Sequence, residues 1–568
     1  MSKLGNLKKY LLEYGMDFTM KKTASKFHLY EMKQDDFYPK WRRDHLLSAK
    51  EVKAISLDRF KNRPKIQIVV ERDGLELKDI LSLDADWFLF SSSRARLHES
   101  LEYEVNLALE KNPNLQFIYF DNDHLKGKKY YRPELKPGFS LDYLYGYDYI
   151  GSTFLVKKDI LKEVKDAKID GALSRCNWLD LKLYILEKIA EKENKEYIEN
   201  PPRVHEASRY VCRIERVLYS EPQQKRDTLI DEFQKTIIKK HVELRGISAE
   251  VEETDISGYY HLSPVFKEKP LVSVIIPNKD HTDDLIQCVE SLYQIDKYHN
   301  LEIIVVENNS EEEKTFRDYS ELLGSEYDPD KECIGRLCDG VTIKIVTWKQ
   351  GFNYSAINNF GARFATGEMI LLLNNDTEII SEHTISELVS SCQRDRVGAA
   401  GALLYYADDT IQHAGIVIKI GGFAANELTC KEYGDPQYYP YTRAVREMSG
   451  CTAACLMVRR ELFNSIGGFD EELVVALNDV DLCMRVREAG YKILFNPFAT
   501  LHHYESKSRG LEETDEKRER FEREIRHFQS KWQEDLDEGD PYYNVAFTLH
   551  YADYSLEMEE DNRGRYQA

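Results

Sequence analysis

Several features that mark particular classes of protein are scarce or missing in this sequence. Its 568 residues contain no run of 18 or more apolar residues, and its N-terminus lacks the apolar core of a signal peptide. We therefore expect a chain that neither spans a membrane nor is exported by that route, and that resides in the cytoplasm. The ten cysteines include no CxxC pair, which favours reduced structural thiols over a zinc site. A formal net charge of -21 argues against a nucleic-acid-binding protein.

Positive charge is concentrated at the N-terminal end of the chain. Residues 1–65 hold 16 lysine and arginine residues against 8 aspartate and glutamate residues, a net charge of +8. Two interpretations are open: a basic face that is simply solvated, and a patch that contacts an anionic membrane surface.

The second half of the sequence predicts an α/β domain. The segments "LVSVII", "LEIIVVENNS", "VTIKIVT" and "EMILLLNND" are apolar, largely β-branched runs, and helix-compatible segments separate them. Such alternation is typical of a mainly parallel sheet, in which ligands bind outside the carboxyl ends of the strands. We therefore expect the polar residues that follow three of these strands, at Asn278, Glu307 and Asn374, to converge on one crevice.

The first half of the sequence carries a weak repeat of the second. "ADWFLFSSSRA" (85–95) aligns without gaps on "GEMILLLNNDT" (367–377), and "FLVKKDIL" (154–161) follows it as "LMVRREL" (456–462) follows its counterpart. This predicts a duplication in which Arg94 stands at the position of Asp376. The predicted organisation is a basic segment (1–65), a first α/β domain (66–225), a helix and connector (226–269), a second α/β domain (270–510) and a helical, aromatic-rich extension (511–568).

Three segments carry side chains suited to chemistry, and each has a plainer alternative. Asp376 follows a strand, where its carboxylate suits Mg2+ or Mn2+, although Asp is also common in turns. Asp479 opens a predicted helix, either as a general base for a hydroxyl nucleophile or as a residue that the helix dipole favours. The segment "HHYESKSRG" (502–510) offers His503 to a metal and Arg509 to a phosphate, or it is a solvated loop.

Taken in order, the motifs resemble one family. They are "VSVIIPNKD", "LEIIVVENNS", "FNYSAINNFGARFATGEMILLLNNDTEI", "IQHAGIVI", "GCTAACLMVRRELFNSIGGFDEEL", "NDVDLCMRVREAGYKILFNP" and "HHYESKSRG". This series resembles the inverting family 2 glycosyltransferases, above all the two-domain bacterial group that builds O-antigens and other cell-surface polysaccharides. The resemblance implies a C-terminal GT-A domain with a Rossmann-like, mainly parallel sheet, preceded by a degenerate GT-A-like α/β domain and followed by a helical extension.

The resemblance also implies a role for individual residues. Asp479 matches the catalytic base, Asp376 the last carboxylate of the metal-binding DXD motif, and His503 a metal-binding or diphosphate-binding histidine. Asn374 departs from the family pattern, because it replaces the first carboxylate of DXD. The residues implied in nucleotide-sugar binding are Pro277, Asn278, Asp280, Glu307, Asn309, Asn353, Asn359, Asn374, Asn375 and Arg509. Those implied near the acceptor are Gly450, Cys451, Asp481 and Ser508.

The implied activity is metal-dependent, inverting sugar transfer with Mg2+ or Mn2+ as cofactor. The donor is a dTDP- or UDP-sugar, with rhamnose as the first choice, and the acceptor is a lipid-linked saccharide at the inner face of the cell membrane. The first domain has "SSSR" at the metal motif and "CNWLDLKLY" at the base motif, which implies a noncatalytic domain that positions the acceptor. The alternatives are a two-site polysaccharide polymerase, a noncatalytic carbohydrate-binding scaffold, and a nucleotidyltransferase, although "IPNKDHTDD" lacks the glycine-rich phosphate loop of that last class.

Overall fold

The structure, a computed structural model, describes residues 34–55, 57–70, 75–167, 178–197, 200–201, 203–222, 228–504 and 515–557. These residues form two compact units. The second unit is Pro264–Asp540, and the first comprises the preceding residues up to Ser263 together with the segment from Pro541 onward. Within the first unit, Asn544 from that last segment donates to Asp121 at 3.0 Å. No helix in the ranges above combines the length and the apolarity needed to cross a bilayer.

Helices and strands alternate along both units. The α-helices are α1 (Gln34–His45), α2 (Ala49–Ala54), α3 (Leu77–Leu81), α4 (Leu101–Lys111), α5 (Leu141–Gly146), α6 (Lys158–Glu163), α7 (Trp178–Glu196), α8 (Thr228–Leu244), α9 (Thr282–Gln294), α10 (Glu313–Leu323), α11 (Tyr354–Ala362), α12 (Thr384–Gln393), α13 (Tyr439–Thr442), α14 (Arg460–Ser465), α15 (Asn478–Glu488) and α16 (Asp515–Glu538). Single turns of 3-10 helix occur at Leu57–Arg59, Cys338–Gly340, Ile420–Gly422 and Pro436–Tyr438.

The strands are short and most of them are buried. They are β1 (Ile66–Val70), β2 (Trp87–Ser91), β3 (Arg96–Leu97), β4 (Phe117–Lys126), β5 (Lys129–Glu134), β6 (Phe154–Lys157), β7 (Val211–Glu221), β8 (Ala249–Glu253), β9 (Tyr260–Pro264), β10 (Val272–Asn278), β11 (Leu301–Asn308), β12 (Cys333–Arg336), β13 (Thr342–Trp348), β14 (Met369–Leu373), β15 (Thr377–Ile379), β16 (Val397–Tyr405), β17 (Ile411–His413), β18 (Ile416–Ile418), β19 (Ala424–Asn426), β20 (Arg446–Met448), β21 (Cys455–Arg459) and β22 (Lys492–His503).

The second unit contains a sheet of eleven strands with a parallel part. Its main path is β12-β13-β11-β10-β14-β21-β16-β22-β15, with β17 beside β16 and β20 beside β22. Strands β13, β11, β10 and β14 run parallel, as do β16 and β22, while β21 runs antiparallel between β14 and β16. Every position of β11 and β14 is buried, as expected for parallel strands covered on both faces. The predicted α/β fold class is confirmed.

The first unit repeats the strand order of the second. Its path is β1-β2-β6-β4-β7-β3, with β5 beside β4, and this matches β10-β14-β21-β16-β22-β15 with β17 beside β16. Each pairing has the same direction as its counterpart: β1–β2 and β4–β7 are parallel, whereas β2–β6, β4–β6, β3–β7 and β4–β5 are antiparallel. The chain is therefore duplicated at the level of topology.

The residue register of the two sheets also agrees. Phe90 pairs with Phe154 as Leu372 pairs with Leu456. At the other edge, the β3–β7 pairing, with Arg96 opposite Ser220, corresponds to the β15–β22 pairing, with Glu378 opposite His502. Arg94 lies two residues before Arg96, and Asp376 lies two residues before Glu378. Arg94 therefore stands at the position of Asp376, in agreement with the gap-free alignment.

The connection between the first two strands of the first unit is much shorter than its counterpart in the second unit. Residues 71–86 alone connect β1 to β2, whereas residues 279–368 connect β10 to β14 and contain β11 to β13 with α9 to α11. Glu307, Asn309, Asn353 and Asn359 all belong to that longer connection. The connection between β1 and β2 therefore has no counterpart of the segment to which half of the ten predicted nucleotide-binding residues belong.

Each unit closes with a helix that holds a buried aspartate. Asp180 of α7 and Asp481 of α15 stand at matching positions of "WLDL" and "DVDL", and both side chains are fully buried. Each accepts from consecutive lysine and aromatic residues of the closing helix, α8 or α16. The contacts are Lys240 Nζ at 2.7 Å and His241 Nε2 at 2.8 Å on Asp180, and Lys531 Nζ at 2.6 Å and Trp532 Nε1 at 2.9 Å on Asp481.

Candidate functional site

The end of β14 and the end of β22 bring a carboxylate and an imidazole together. Thr377 pairs with His503 in the antiparallel ladder of β15 and β22, so Asp376, one residue earlier, lies beside that histidine. Asp376 Oδ1 is 3.2 Å from His503 Nε2, and the two residues are 7% and 9% exposed. The amide of Tyr504 donates to the carbonyl of Asp376 at 2.9 Å, which fixes the turn.

Hydrogen bonds determine which nitrogen of His503 is available. Nδ1 lies 2.7 Å from Gln412 Oε1, and because a carboxamide oxygen only accepts, Nδ1 carries a proton. The other ring nitrogen, Nε2, lies 3.2 Å from Asn374 Nδ2 and 3.2 Å from Asp376 Oδ1, and it offers a lone pair when the ring is neutral. Tyr354 sets the orientation of the Asn374 amide by donating to Oδ1 at 2.9 Å. The histidine is therefore held as a ligand that presents Nε2.

This pair fits a hard divalent cation that the substrate also ligates. Two ligands about 2.1 Å from one ion and at right angles to it are about 3 Å apart, close to the separation of Asp376 Oδ1 and His503 Nε2. Among the described residues, no group of three or more His, Cys, Asp or Glu side chains is placed to hold a metal. A divalent cation held by this pair would take its other ligands from water and substrate phosphates, as is typical of Mg2+ sites.

The ends of β10, β11 and β14 are joined by a chain of hydrogen bonds, in which Asn375 rather than the predicted Asn374 is the member from the end of β14. Asn375 Nδ2 donates to Asn278 Oδ1 at 2.7 Å, and Asn278 Nδ2 donates to the hydroxyl of Tyr319 at 2.8 Å. That hydroxyl donates in turn to Glu307 Oε2 at 2.6 Å. Burial and the adjacent Glu307 carboxylate raise the pKa of Tyr319, so the phenol stays protonated. Tyr319 escaped the sequence analysis because an aromatic residue within a predicted helix is ordinarily a core residue.

Two other predicted nucleotide-binding residues shape the loops at this edge. Asp280 Oδ1 accepts from the amides of Glu311 and Glu312 at 2.9 and 3.0 Å, so it caps the approach to α10. Asn309 donates from Nδ2 to the carbonyl of Gln350 at 2.7 Å. Both residues have positive φ, 50° at Asp280 and 55° at Asn309, a backbone region that Asp and Asn adopt more readily than most side chains. Their contact with a nucleotide stays a prediction.

Asn353, the N-cap of α11, and Asn359 within that helix hold the turn that precedes α15. Asn359 accepts from the amide of Phe469 at 2.8 Å and donates to its carbonyl at 3.0 Å, while Asn353 donates to the carbonyl of Glu471 at 2.8 Å. A Cβ on Gly468, which has φ +68°, would lie 2.3 Å from Asn359 Oδ1, so this approach requires glycine. In this structure both asparagines position a loop, and their predicted contact with the nucleotide stays a prediction.

Asp479 lies in the first turn of α15, which begins abruptly after Leu477 at φ 59°. Its Oδ1 accepts from the amide of Val480 at 2.9 Å, and its Oδ2 accepts from the amide of Ala453 at 3.2 Å. Burial raises the pKa of Asp479, although these amides partly oppose the shift. A half-buried carboxylate of raised pKa is a stronger base than one in water. Asp481, two residues further along α15, instead anchors α15 to α16 through its ion pair with Lys531.

The loop from Gly450 to Ala454 joins Asp479 to the pair of Asp376 and His503. Asn374 donates from its amide to the carbonyl of Ala454 at 3.1 Å, and the next residue back, Ala453, holds Asp479. His413 supports this loop, because its Nε2 accepts a hydrogen bond from the backbone amide of Thr452 at 3.4 Å. Burial lowers the pKa of His413 to about 4, which keeps the ring neutral. Its motif, "IQHAGIVI", is the signal that pointed to it without assigning a role.

The remaining predicted residues are packed into the fold or lie outside the described residues. Cys451 is fully buried and packs so closely on Gly401 that a Cβ there would lie 2.3 Å from Cys451 Cβ. The carbonyl of Gly450 accepts from the amide of Ile416 at 2.9 Å. Pro277 lies on β10 opposite Val306. Ser508 and Arg509 lie outside the described residues, as do residues 1–33 of the predicted basic segment.

Comparison with known proteins associates this site with one family. Residues 270–522 match the family model described as "Glycosyltransferase like family 2". The uncharacterized protein y4gI of Sinorhizobium fredii is 32% identical over 461 residues, which cover 79% of this chain and 47% of that protein. The O-antigen biosynthesis protein RfbC of Myxococcus xanthus is 33% identical over 473 residues, which cover 81% of this chain and 33% of that protein. The chain thus spans less than half the length of these relatives.

Two further similarities are weaker. An N-acetylglucosaminyl-diphospho-decaprenol L-rhamnosyltransferase of Mycobacterium tuberculosis is 30% identical over 138 residues, 22% of this chain and 44% of that protein. The solved structure of GalNAc-T7 with UDP, GalNAc and Mn2+ is 16% identical, with a TM-score of 0.37 and coverage of 51% of this chain and 55% of that chain.

Proposed function

We propose that this protein, whose residues 270–522 match the family model described as "Glycosyltransferase like family 2", transfers a sugar from a nucleotide-sugar donor to an acceptor hydroxyl with inversion at the anomeric carbon. One observation carries the proposal: the residue pair Ala453–Ala454 is bonded to Asp479 on one side and to Asn374 of the metal edge on the other. Direct displacement of a nucleoside diphosphate requires a base for the acceptor hydroxyl close to the groups that hold the diphosphate. This short loop joins the proposed base to the proposed metal edge.

Asp479 is the proposed base. The acceptor hydroxyl attacks the anomeric carbon, its proton passes to the Asp479 carboxylate, and the bond from that carbon to the diphosphate oxygen breaks. Burial makes this carboxylate more basic than an exposed one, and the amides of Ala453 and Val480 fix its orientation. Because the reaction needs one base and no enzymic nucleophile, the configuration inverts.

Asp376 and His503 are the proposed ligands of Mg2+ or Mn2+. Such an ion, when bound, neutralises the charge that develops on the leaving diphosphate. Gln412 orients His503 and Tyr354 orients Asn374 toward the position of that ion. The hydrogen-bonded chain from Asn375 to Glu307 forms the adjacent edge, where the nucleoside would bind. This assignment rests on the strand ends that meet there.

The donor, acceptor and location follow from the resemblance and from the names of the relatives. A dTDP-sugar with rhamnose as the first choice, or a UDP-sugar, is the proposed donor. A lipid-linked saccharide at the inner face of the cell membrane is the proposed acceptor, for cell-surface polysaccharide synthesis. We assign transfer to residues 270–510. The first domain, residues 66–225, is proposed to be noncatalytic, because Arg94 occupies the metal position, Trp178 occupies the base position and the nucleotide half is missing. This argues against a two-site polymerase.

The test is transfer from a panel of nucleotide sugars by the full chain, with Mn2+ and with EDTA. Asp479→Asn should abolish transfer while nucleotide binding persists, because the amide cannot accept the proton. Glu461→Gln, an exposed change at the start of α14, is the matched control and should leave the rate unchanged. Wild-type turnover in Asp479→Asn would refute the base, and a rate indifferent to EDTA would refute the metal.

A further inference from the structure

Two adjoining cavities in the first unit have six lysine and arginine side chains among their lining residues. The larger has a volume of about 790 Å3 and the smaller about 410 Å3, and Arg42, His98 and Tyr130 line both. The cations around them come from α1, β3 and the β4–β5 hairpin, and the one carboxylate in either lining is Glu99. The cationic side chains are Arg42, Arg43, Arg96, Lys126, Lys128 and Lys129. We call this pair of cavities the cationic pocket.

Most of these cations have no acidic partner. Lys126, Lys128 and Lys129 surround a tight turn at Gly127, which has φ +63°, and Lys126 lies opposite Lys129 in the hairpin register. Within the described part of the chain, none of the three lysines forms an ion pair, and the same holds for Arg43 and Arg96. Like charges placed together repel one another, so this arrangement is costly unless an anion binds there. This local concentration of positive charge contrasts with the net charge of -21 of the whole chain.

Arg42 gives the pocket a rigid base. Its Nε donates to Asp123 Oδ2 at 2.7 Å, and the same oxygen accepts from the hydroxyl of Tyr38 at 2.7 Å. The guanidinium also lies over the ring of Tyr130, 3.7 Å from its centroid. The Arg42 side chain is 18% exposed and that of Asp123 is fully buried. These contacts use Nε and the face of the guanidinium, which leaves the planar fork of the terminal nitrogens pre-organised for a bidentate anion.

The cationic pocket is not the remnant of a metal site. In the shared register, Ser220 of the pocket corresponds to His502, and Glu221 therefore corresponds to His503. Successive strand residues face opposite sides of a sheet, so Ser220 and the metal position lie on opposite faces of the strand. Helix α1, which contributes Arg42 and Arg43, precedes β1, while β9 leads directly into β10. The pocket is thus a feature of the first copy.

We propose that the cationic pocket binds a phosphate or diphosphate group. Six cations line the two cavities, and five of them form no ion pair with a described residue, so together they attract a multiply charged anion; an arginine fork beside a lysine cluster suits phosphate oxygens. The group could belong to a free phosphorylated compound or to the headgroup of an anionic lipid. This inference does not rest on the proposed transferase activity, because the pocket and the transferase edge belong to different units.

The experiment measures binding to the full chain in EDTA, so that metal-dependent binding at Asp376 does not contribute. One arm titrates inorganic pyrophosphate by calorimetry. The other sediments the protein with phosphatidylcholine vesicles that contain or lack phosphatidylglycerol. The test variant is the triple change K126E, K128E and K129E, whose exposed positions at a hairpin turn should not disturb folding. The control is K61E, K165E and K239E, which alters the same charge at exposed lysines of the same unit away from the pocket.

We expect at least one probe to bind, at least tenfold more weakly in the test variant than in the control. Pyrophosphate binding without vesicle binding would identify a free phosphorylated ligand. Binding to the anionic vesicles that pyrophosphate competes away would identify a lipid headgroup. The proposal is overturned if neither probe binds, or if the test variant and the control bind equally. A circular dichroism melt of each variant confirms that it is folded.

Discussion

The hydrogen bond between Gln412 and His503 offers the sharpest test of the metal edge. Gln412→Met keeps the volume of the side chain but removes the acceptor of the Nδ1 proton, whose bond is 2.7 Å long in the structure. Both residues are largely buried, at 4% and 9% exposure, so water cannot readily replace the lost acceptor. Leaving a buried donor unpaired costs about 1–3 kcal/mol, and the ring is then free to adopt the other tautomer.

That cost predicts a loss of about 10- to 100-fold in Mn2+ affinity, the usual effect of removing a partner of a metal-bound histidine. Calorimetric titration of Mn2+ in the presence of a nucleoside diphosphate measures it. Gln412→Glu retains an acceptor for Nδ1 and should recover most of the affinity, whereas a merely structural role would not favour Glu over Met. Gln294→Met, at an exposed position at the end of α9, is the control. Wild-type Mn2+ affinity in folded Gln412→Met would refute the reasoning.

Two further predictions concern α15. Asp481→Asn should destabilise the second unit by about 2 kcal/mol, since it breaks a buried ion pair whose lysine, Lys531, keeps partial exposure; a denaturant midpoint equal to that of the exposed control Glu534→Gln would contradict this. Transfer should fall with decreasing pH as Asp479 gains a proton, because a base acts only when ionised. Since burial raises the pKa of Asp479, the midpoint of this fall in kcat/KM should lie above the ordinary aspartate value of about 4, and a midpoint below it would contradict the assignment.

Much of the fold could be predicted because strands buried on both faces leave a strong local signal. "EMILLLNND" and "WFLFS" are apolar at consecutive positions, and the structure places β14 and β2 there with every residue buried. The gap-free alignment of those segments found the duplication, and the strand register then agreed with it residue by residue. The connection from β1 to β2 is too short to contain counterparts of β11 to β13, and only the strand order of the two sheets shows which elements are missing there.

The candidate site was predictable in its charged residues and not in their supports. Asp376, Asp479 and His503 stood out because each lies at a strand end or a helix start within motifs that resemble those of the family 2 glycosyltransferases. Tyr319 carries no such signal, since an aromatic residue within a helix is ordinarily a core residue, and the motif "IQHAGIVI" pointed to Gln412 and His413 without indicating a role. Asn353 and Asn359 are predicted to bind the nucleotide, which stays a prediction, while in the structure they hold the turn before α15.

The sequence by itself determined the order of strands and helices and the position of the acidic strand end, because apolar runs and the polar residues that follow them are local properties of the chain. The tertiary structure alone decided which side chains meet. Asn374 and His503 are 129 residues apart, and Gln412 and His503 are 91 apart, so no local pattern could pair them. Strand pairing closes those distances, and the hydrogen bonds that result select the tautomer of His503, the rotamer of Asn374 and the environment of Asp479. Those selections turn an acidic turn after a strand into an edge fitted to a divalent cation.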